Sequence, residues 1–432
     1  MCASLALISS QVKLPIASDF KLGRESFTRD GALSPDLLIS LLVYMAADGG
    51  RRGYQHLLDA FWDEAKTNQV PLPVDEPVSS AAFCNARKRL GAAAVRQLLR
   101  DASDAFDRVH GPRHRVHGRR VLAVDGSKMP LQRAPGLWDE FGGPSDGYVP
   151  QILVSVLFDV IAKIPVDATI APYASDERAQ LCNLLKSTRD GDILVLDQGY
   201  PSYVMIDLLI ELGLDFVMRV PIVSGFPAVE EFVLSGRDEA DIVLTPGPSS
   251  PADVLTPPRL RAVRRIGPDG EPQVFLTTLP RRQFCRADIC DLYLRRWQIE
   301  LFYRLEKSDY AGHRQFHAKY PEGVRQEVFA FLLFTALSRT LMAAASEASG
   351  APYERMSQKS AILATARVLT VLLLESDPVK VRKTLAGLLS RIATRLDPKH
   401  RRRSCPRRSF KPRSRWGPQG HVHDPARRAK LG

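Results

Sequence analysis

The sequence predicts an α/β fold in which a mixed β-sheet is flanked by helices, preceded by a helical domain and interrupted by an inserted antiparallel β subdomain. Three observations predict it. Residues 121–220 combine short apolar runs with helical segments, and residues 223–283 contain Pro/Gly turns between alternating runs. Residues 291–307 contain no Gly or Pro and predict one long helix. The 432 residues are enough for two or three domains with a large core.

The excess of positive charge is concentrated near the end of the chain. The formal net charge is +12, and residues 399–432 contribute +11 of it, with twelve Lys and Arg against the acid Asp424. The tail, residues 396–432, is rich in Arg, Pro and Ser and has no apolar periodicity, which predicts disorder. A cationic tail of this kind favours an anionic partner such as DNA.

Several classes of protein are disfavoured by simple features of the sequence. The six cysteines are scattered and form no CxxC pair, so neither a disulfide framework nor a zinc site is indicated. The N-terminus lacks the basic region of a signal peptide, and the most apolar later stretch, residues 328–337, is too short to span a bilayer. We therefore expect a cytosolic protein with reduced thiols.

Residues 36–110 predict helices, and we assign residues 1–115 to an N-terminal helical domain. The third predicted helix carries the basic cluster Arg87, Lys88 and Arg89 beside apolar positions. Two interpretations stay open. The cluster either binds DNA ends as part of a small helical module, or it is the solvated surface of a packing domain.

The next part of the chain predicts five strands and two helices, in the order of three strands, helix, strand, helix and strand. The apolar runs 121–124 and 193–196 are typical of central strands that are covered on both faces. Asp125 ends the first run and Asp197 the second, and a Gly follows each closely. The remaining predicted elements are strands 147–160, 163–172 and 214–220 and helices 175–185 and 202–213.

The two aspartates are the first candidate site residues. An Asp that follows an apolar run and precedes a Gly is, taken alone, most often a turn residue. The order of elements, however, resembles the ribonuclease H-like fold, in which acids at the ends of the first and fourth strands lie at adjacent ends of a mixed sheet. A later helix of that fold brings a third carboxylate to the same edge, and the helix with Glu300 occupies the corresponding place in the sequence.

The helix predicted at residues 291–307 carries a second group of candidates, Tyr293, Arg296, Glu300 and Lys307. At about 100° per residue, these four positions fall within an arc of about 60°. One interpretation is a functional face with an acid, two cations and a phenol. The other is a solvated face with an ordinary ion pair between Arg296 and Glu300.

A different arc of the same helix is predicted to face the core. Leu294, Leu301 and Leu305 share this arc, about a third of a turn from the polar one. We also expect Trp297 to lie in the core rather than to serve as a stacking platform for a base.

The spacing Tyr-x2-Arg-x3-Glu-x6-Lys resembles the Tyr-Arg-Glu-Lys signature of bacterial insertion-sequence transposases with an Asp-Asp-Glu (DDE) triad, the IS-four family. The stretches RRWQIELFYR and PEGVRQEVFAFLLFTAL are similar to that family too, as are VDGS and LDQGY, with Gln198 where Arg is frequent. The resemblance covers roughly residues 40–395. The separation of 103 positions between Asp197 and Glu300 also agrees, because members carry an insertion there.

The resemblance implies a catalytic domain over residues 116–395 that performs cut-and-paste transposition by phosphodiester hydrolysis and strand transfer. Asp125, Asp197 and Glu300 would be its catalytic residues and the ligands of two Mg²⁺ ions, with Mn²⁺ as a substitute. Hard oxygen ligands suit these ions. Two such ions can activate the attacking hydroxyl and stabilise the leaving oxygen of an in-line displacement.

The resemblance also implies that Tyr293, Arg296 and Lys307 bind phosphates of the transposon end. The partners would be double-stranded DNA, namely terminal inverted repeats and target DNA, and a second copy of the chain in a homodimer on paired ends. The place of action would be the bacterial cytoplasm, in association with the nucleoid. Two alternatives stay open: a related metal-dependent nuclease without strand transfer, and a catalytically decayed relative that still binds DNA.

Overall fold

The computed structural model of the chain describes residues 31–48, 52–145, 147–223, 226–245, 258–267, 270–304 and 316–397. Within them, eight strands form one sheet in the order β3-β2-β1-β4-β5-β8-β7-β6. The strands are β1 (Val121–Pro130), β2 (Gln151–Asp159), β3 (Ile164–Pro172), β4 (Ile193–Leu196), β5 (Asp215–Val220), β6 (Glu239–Val243), β7 (Arg259–Ile266) and β8 (Pro272–Thr277).

Helices cover both faces of this sheet. On the N-terminal side of the chain they are α1 (Pro35–Asp48), α2 (Tyr54–Thr67), α3 (Ser80–Arg87) and α4 (Ala92–Val109). Within and after the sheet region they are α5 (Pro135–Phe141), α6 (Glu177–Leu184), α7 (Tyr203–Glu211), α8 (Pro227–Leu234), α9 (Arg286–Arg295), α10 (Trp297–Arg304), α11 (Pro321–Ser349), α12 (Gln358–Ala366), α13 (Leu369–Leu374) and α14 (Pro378–Thr394).

The centre of the sheet is a parallel trio, because β1 pairs with β4 and β4 pairs with β5 in parallel. The antiparallel hairpin of β2 and β3 lies beside β1. The predicted order of strands and helices in this part of the chain is therefore confirmed, except that α5 lies between β1 and β2, where no helix was predicted. Side chains alternate between the two faces, so Val121 and Ala123 enter one hydrophobic core, whereas Leu122 and Val124 enter the other.

The prediction that the first strand ends at Asp125 is wrong. Strand β1 continues to Pro130, because it keeps its antiparallel pairing with β2 as far as the pair Pro130 and Gln151. On its other side, β1 pairs with β4 only through residues 121–123. Asp125 therefore lies within β1, at the level where the neighbouring strand β4 has ended and β2 continues.

The antiparallel strands predicted in residues 223–283 are present, but they do not fold apart from the sheet. Strand β8 pairs antiparallel with β5, and β7 and β6 follow outward. Alternate residues of β8 enter both cores, Phe275 one and Leu276 the other. The segment also contains α8, which the sequence did not predict and which buries Val229 and Phe232.

The N-terminal helices share one hydrophobic core with the sheet. Leu38 of α1 and Val95 of α4 belong to the same cluster of buried side chains as Val121 of β1 and Phe334 of α11. Helix α11 is long and apolar enough to cross a membrane by length and composition, but its whole apolar window is buried inside the protein. Burial on all sides explains this composition, since a helix that is apolar all round is typical of a protein core.

Candidate active site

The two predicted aspartates lie at the same level of neighbouring parallel strands. Val121 pairs with Ile193 and Ala123 with Val195, so Asp125 and Asp197 each follow the last paired residues by two positions. Neighbouring strands are about 4.8 Å apart. The two carboxylates interact electrostatically, since the charge of Asp197 contributes to raising the pKa of Asp125. The structure therefore brings these two predicted site residues together.

The segment with Glu300 forms two helices and not the single helix that the sequence predicted. Helix α9 ends at Arg295 and α10 begins at Trp297, with a turn at Arg296 between them. The predicted core stripe is also wrong, because Leu294 and Leu301 are 50% and 37% exposed. The buried positions are taken by other residues, one of them a different leucine: Ile289, Leu292, Tyr293, Ile299, Phe302 and Tyr303.

Trp297 does not lie in the core. Its side chain is 50% exposed, so the prediction of a buried tryptophan is wrong. The turn at Arg296 places Trp297 at the first position of α10, while the next residues, Ile299 and Phe302, take up the contacts with the sheet. Leu305 and Lys307 lie outside the described residues.

A buried tyrosine docks α10 onto the strand that carries Asp125. The Tyr303 hydroxyl donates to the carbonyl oxygens of Asp125 at 2.9 Å and of Val154 at 3.1 Å. Glu300 lies three residues earlier on the same helix, at the spacing of side chains that share a helix face. The helix of the predicted third acid is therefore attached to the backbone of the first.

Arg296 holds Glu300 at this edge of the sheet. Its Nη2 donates to Glu300 Oε1 at 2.5 Å, and the two side chains are 13% and 30% exposed. The positive charge of Arg296 also acts on Asp125, where it opposes the rise in pKa. Arg296 therefore contacts Glu300 directly and interacts electrostatically with both Asp125 and Asp197.

Burial raises the pKa of Asp125 to about 6. The negative charges of Asp197 and Glu177 act in the same direction, against Arg296 and a hydrogen bond from the Gly126 N–H. Asp197 Oδ1 accepts a hydrogen bond from the Gly199 N–H at 2.8 Å. The site is thus a partly buried group of carboxylates, and burial contributes most to the raised pKa of Asp125.

The donor chemistry of this group fits a hard divalent cation. Asp125, Asp197 and Glu300 offer only carboxylate oxygens, which are the ligands of Mg²⁺ and Mn²⁺. Among the described residues, no three Asp, Glu, His or Cys side chains lie close enough to form a ready-made metal group. Glu300 Oε1 accepts a hydrogen bond from the Arg296 guanidinium, so this arginine competes with a cation for one of the two carboxylate oxygens.

The predicted phosphate-binding residues differ in their surroundings. Tyr293 is only 8% exposed, and its ring packs on Phe275 with 4.6 Å between centroids. The Arg296 guanidinium lies 5.7 Å from the centre of the Tyr293 ring. Arg296 Nε is a buried donor with no hydrogen-bond partner in the described part of the chain. The Arg296 Nε–H is therefore a buried donor that no described residue satisfies, whereas Tyr293 is mainly part of the core.

Arg87 cannot be a DNA contact, and its prediction is wrong. The side chain is fully buried, forms an ion pair with Glu327 at 3.0 Å, and donates from Nε to Gln326 Oε1 at 3.0 Å. Its charge is thus used to join α3 to α11. Lys88 and Arg89 are exposed, and their role in DNA binding remains a prediction.

Two side chains near the aspartates were not singled out from the sequence. Glu177 is the first residue of α6, and Tyr200 is the aromatic residue of the LDQGY stretch. The charge of Glu177 acts on Asp125, and the charge of Asp125 acts on the Tyr200 hydroxyl. An acid at the start of the helix that follows β3 was the available signal, because that helix begins close to the ends of the neighbouring strands.

The chain belongs to the family of DDE transposases. Residues 116–337, more than half of the chain, match the family model described as the transposase DDE domain. The predicted ribonuclease H-like mixed sheet and the predicted family are both confirmed.

One similar protein is transposase InsG for insertion sequence element IS4 from Escherichia coli (strain K12). It is 26% identical over 289 residues, which is 63% of this chain and 63% of that protein. A solved structure of the piggyBac transposase synaptic complex with hairpin DNA matches with a TM-score of 0.43 and 10% identity. That match covers 90% of this chain and 82% of the other.

Proposed function

We propose that this chain is a DNA transposase that moves an insertion sequence by cut-and-paste transposition. The observation that carries the proposal is the convergence of Asp125, Asp197 and the helix of Glu300 at one sheet edge, within the DDE family. The three acids would act as catalytic residues and as ligands of two Mg²⁺ ions, with Mn²⁺ as a substitute. Such ions activate the attacking hydroxyl and neutralise charge on the leaving oxygen.

The side chains of the chain itself would position the DNA. Arg296 pairs with Glu300 and retains a buried Nε donor without a partner in the described residues. A guanidinium can bind a phosphate through two parallel hydrogen bonds. A phosphate that takes over Arg296 would release Glu300 for the cation, so DNA binding and assembly of the site would be coupled. Tyr293 and Lys307 are proposed to support the same phosphate path.

The partners follow from this activity. The substrate would be double-stranded DNA, first the terminal inverted repeats of the element and then the target. A homodimer on paired ends would bring two active sites to one synaptic complex, in the bacterial cytoplasm at the nucleoid. The exposed Lys88 and Arg89 are candidates for contacts to the ends. The similarity to an insertion-sequence transposase supports these proposals.

The experiment uses the genomic DNA that flanks the reading frame of this chain. Labelled flanks and a supercoiled target plasmid are incubated with the full chain in Mg²⁺, and nicked and joined products are separated on gels. A transposase nicks the flanks and joins precut ends to the plasmid. Cleavage without joining would identify the nuclease alternative, and binding without cleavage the decayed relative. Unrelated DNA and a chelator serve as controls.

A further inference from the structure

Glu177 lies directly against the strand that carries Asp125. A Cβ atom built on Gly126 would stand 2.8 Å from the Glu177 Cδ and 2.9 Å from its Oε1, closer than a real Cβ allows. The glycine at position 126 therefore leaves room for the Glu177 carboxylate against the backbone, and a larger residue there would make that carboxylate shift. The contact places the Glu177 carboxylate against the residue that follows Asp125 in β1.

The sheet is open at this point, which gives Glu177 access to the site. Along β1, Gly126 alternates with Asp125 and faces the opposite side of the sheet, the side covered by α6. Strand β4 ends at Leu196, and its pairing with β1 covers only residues 121–123. A side chain from the α6 side can therefore reach the aspartates beyond the end of β4. The charges of Asp197 and Glu177 do act on one another, and both act on Asp125.

A second observation points into the same group of acids. Tyr200 is 2% exposed, and its hydroxyl is buried without a hydrogen-bond partner in the described part of the chain. The charged groups that act most on this hydroxyl are Glu177, Asp125 and Asp197. A buried polar group without a partner is rare in proteins. The hydroxyl is thus available to donate to one of these carboxylates and to hold its orientation.

We propose that Glu177 is a fourth carboxylate of the cation-binding centre, and that it holds the cation together with Asp125 and Asp197 from the α6 side of the sheet. Tyr200 orients this group as a hydrogen-bond donor. The inference rests on the proposed function, which supplies the cation. The competing explanation is an ordinary acid in the first turn of a helix, which is favourable there without any ligand.

The test measures binding of Mn²⁺ alone to the full chain by calorimetry, without DNA. Glu177→Gln removes the charge, whereas Glu177→Asp keeps it and shortens its reach. Both variants should weaken Mn²⁺ binding by at least about 10-fold. Even residues that only hydrogen-bond to metal ligands usually have an effect of about this size when they are mutated. Asp176→Asn is the matched control, because it removes one charge from the same turn while Asn still caps α6. It should change the affinity by less than about 2-fold, since exposed charges are well screened.

The outcomes separate this inference from the function on which it rests. If Asp125→Asn loses Mn²⁺ while both Glu177 variants bind like the unmodified chain, the role of Glu177 is refuted and the metal centre stands. If Glu177→Asp alone binds normally, the residue supplies only charge, and its role as a ligand is wrong. If the unmodified chain binds no Mn²⁺, the proposed metal centre itself fails. Circular dichroism melting of each variant confirms that only folded protein is compared.

Discussion

At the scale of single residues, the sequence shows only in part which arginine and lysine side chains are buried and which are exposed. Arg87, Lys88 and Arg89 are consecutive cations, yet the first is fully buried and the next two are exposed. Helical spacing did place Arg87 on the same face as Phe83, four residues earlier. Its partner Glu327 is remote in sequence, so no local pattern could show that the buried charge is paired. The aspartates were predictable, because each follows a short apolar run in the sequence.

The first prediction concerns this buried cation. Arg87→Gln should lower the free energy of unfolding by about 3–5 kcal/mol, because it leaves Glu327 buried without its charged partner. Lys88→Gln is the matched control and should cost less than about 0.5 kcal/mol, as surface substitutions usually do. Unfolding in urea at pH 7 measures both. Equal stability of the two variants would contradict the assignment of Arg87 to the core.

At the scale of elements, the sequence predicted most helices and strands but placed the buried face of one segment wrongly. The prediction followed the leucines of the segment 291–307, whereas Ile289, Ile299 and Phe302 face the sheet. The turn at Arg296 explains part of the error, because it interrupts the helical spacing that the prediction assumed. Tyr303 shows what the sequence could not: its hydroxyl donates to β1 and β2, and such tertiary contacts leave no periodic signal.

The second prediction tests this attachment of α10 to the sheet. Tyr303→Phe should cost about 0.5–1.5 kcal/mol of stability, since the hydrogen bond that its single hydroxyl proton makes to the carbonyl oxygens of Asp125 and Val154 is lost. It should also slow DNA cleavage while DNA binding is unchanged, because Glu300 is less well positioned. Tyr203→Phe removes a hydroxyl that donates to the Thr245 carbonyl on an exposed part of the chain and is the control. Normal cleavage by Tyr303→Phe below its melting temperature would argue against a positioning role.

The third prediction concerns the contact between α4 and β3. Asp167 is fully buried, and both Arg96 and Arg100 donate to it. Burial alone would raise the pKa of this carboxyl, but hydrogen bonds from the two arginines outweigh burial and hold the pKa below its usual 3.8. Because the folded pKa is the lower one, the stabilisation is present above pH 3.8 and is lost as the pH falls through the folded pKa.

Asp167→Asn should therefore cost about 3–5 kcal/mol at pH 7, the cost of breaking a buried pair. The difference from the unmodified chain should shrink as the pH falls below 3.8. Asp104→Asn, which breaks an exposed pair with Arg189, should cost less than about 1 kcal/mol. Urea unfolding across this pH range measures the effect, and a difference that does not depend on pH would contradict the role of the ionised carboxylate.

At the scale of the whole molecule, the sheet is larger and more continuous than the sequence indicated. The order of elements correctly predicted the ribonuclease H-like part, because alternating apolar runs and helices fix that topology strongly. The strands of residues 223–283 were also predictable from their turns. The pairing of these strands with β5 was not predictable. The strand to which an antiparallel segment attaches depends on contacts between residues that are far apart in the sequence, such as Phe275 of β8 and its partners in β5. The basic tail lies outside the described residues except for Leu396 and Asp397, and its role stays a prediction.

The fourth prediction concerns that tail. Removal of residues 398–432 takes away +11 of the net charge of +12 and should reduce the slope of log K against log salt for DNA binding. The slope changes by about 0.9 for each phosphate contact, so five contacts would change it by about 4–5. A tail of the same length with Gln in place of Lys and Arg should behave like the truncation, and a shuffled tail like the full chain. An unchanged slope after truncation would exclude the tail from DNA binding.

The central claim is that Asp125, Asp197 and Glu300 form one catalytic centre. Its most direct test is Mg²⁺-dependent cleavage and joining of the flanking DNA by Asp125→Asn, Asp197→Asn and Glu300→Gln. Each variant should lose both activities by more than about 100-fold. This is more than the loss expected for residues that only hydrogen-bond to metal ligands. Each should still bind DNA, because affinity comes mostly from cations. Asp291→Asn, which changes an exposed acid of α9, should remain active. Near-normal cleavage by any one of the three variants would contradict the assignment of that residue and the account of the site built on it.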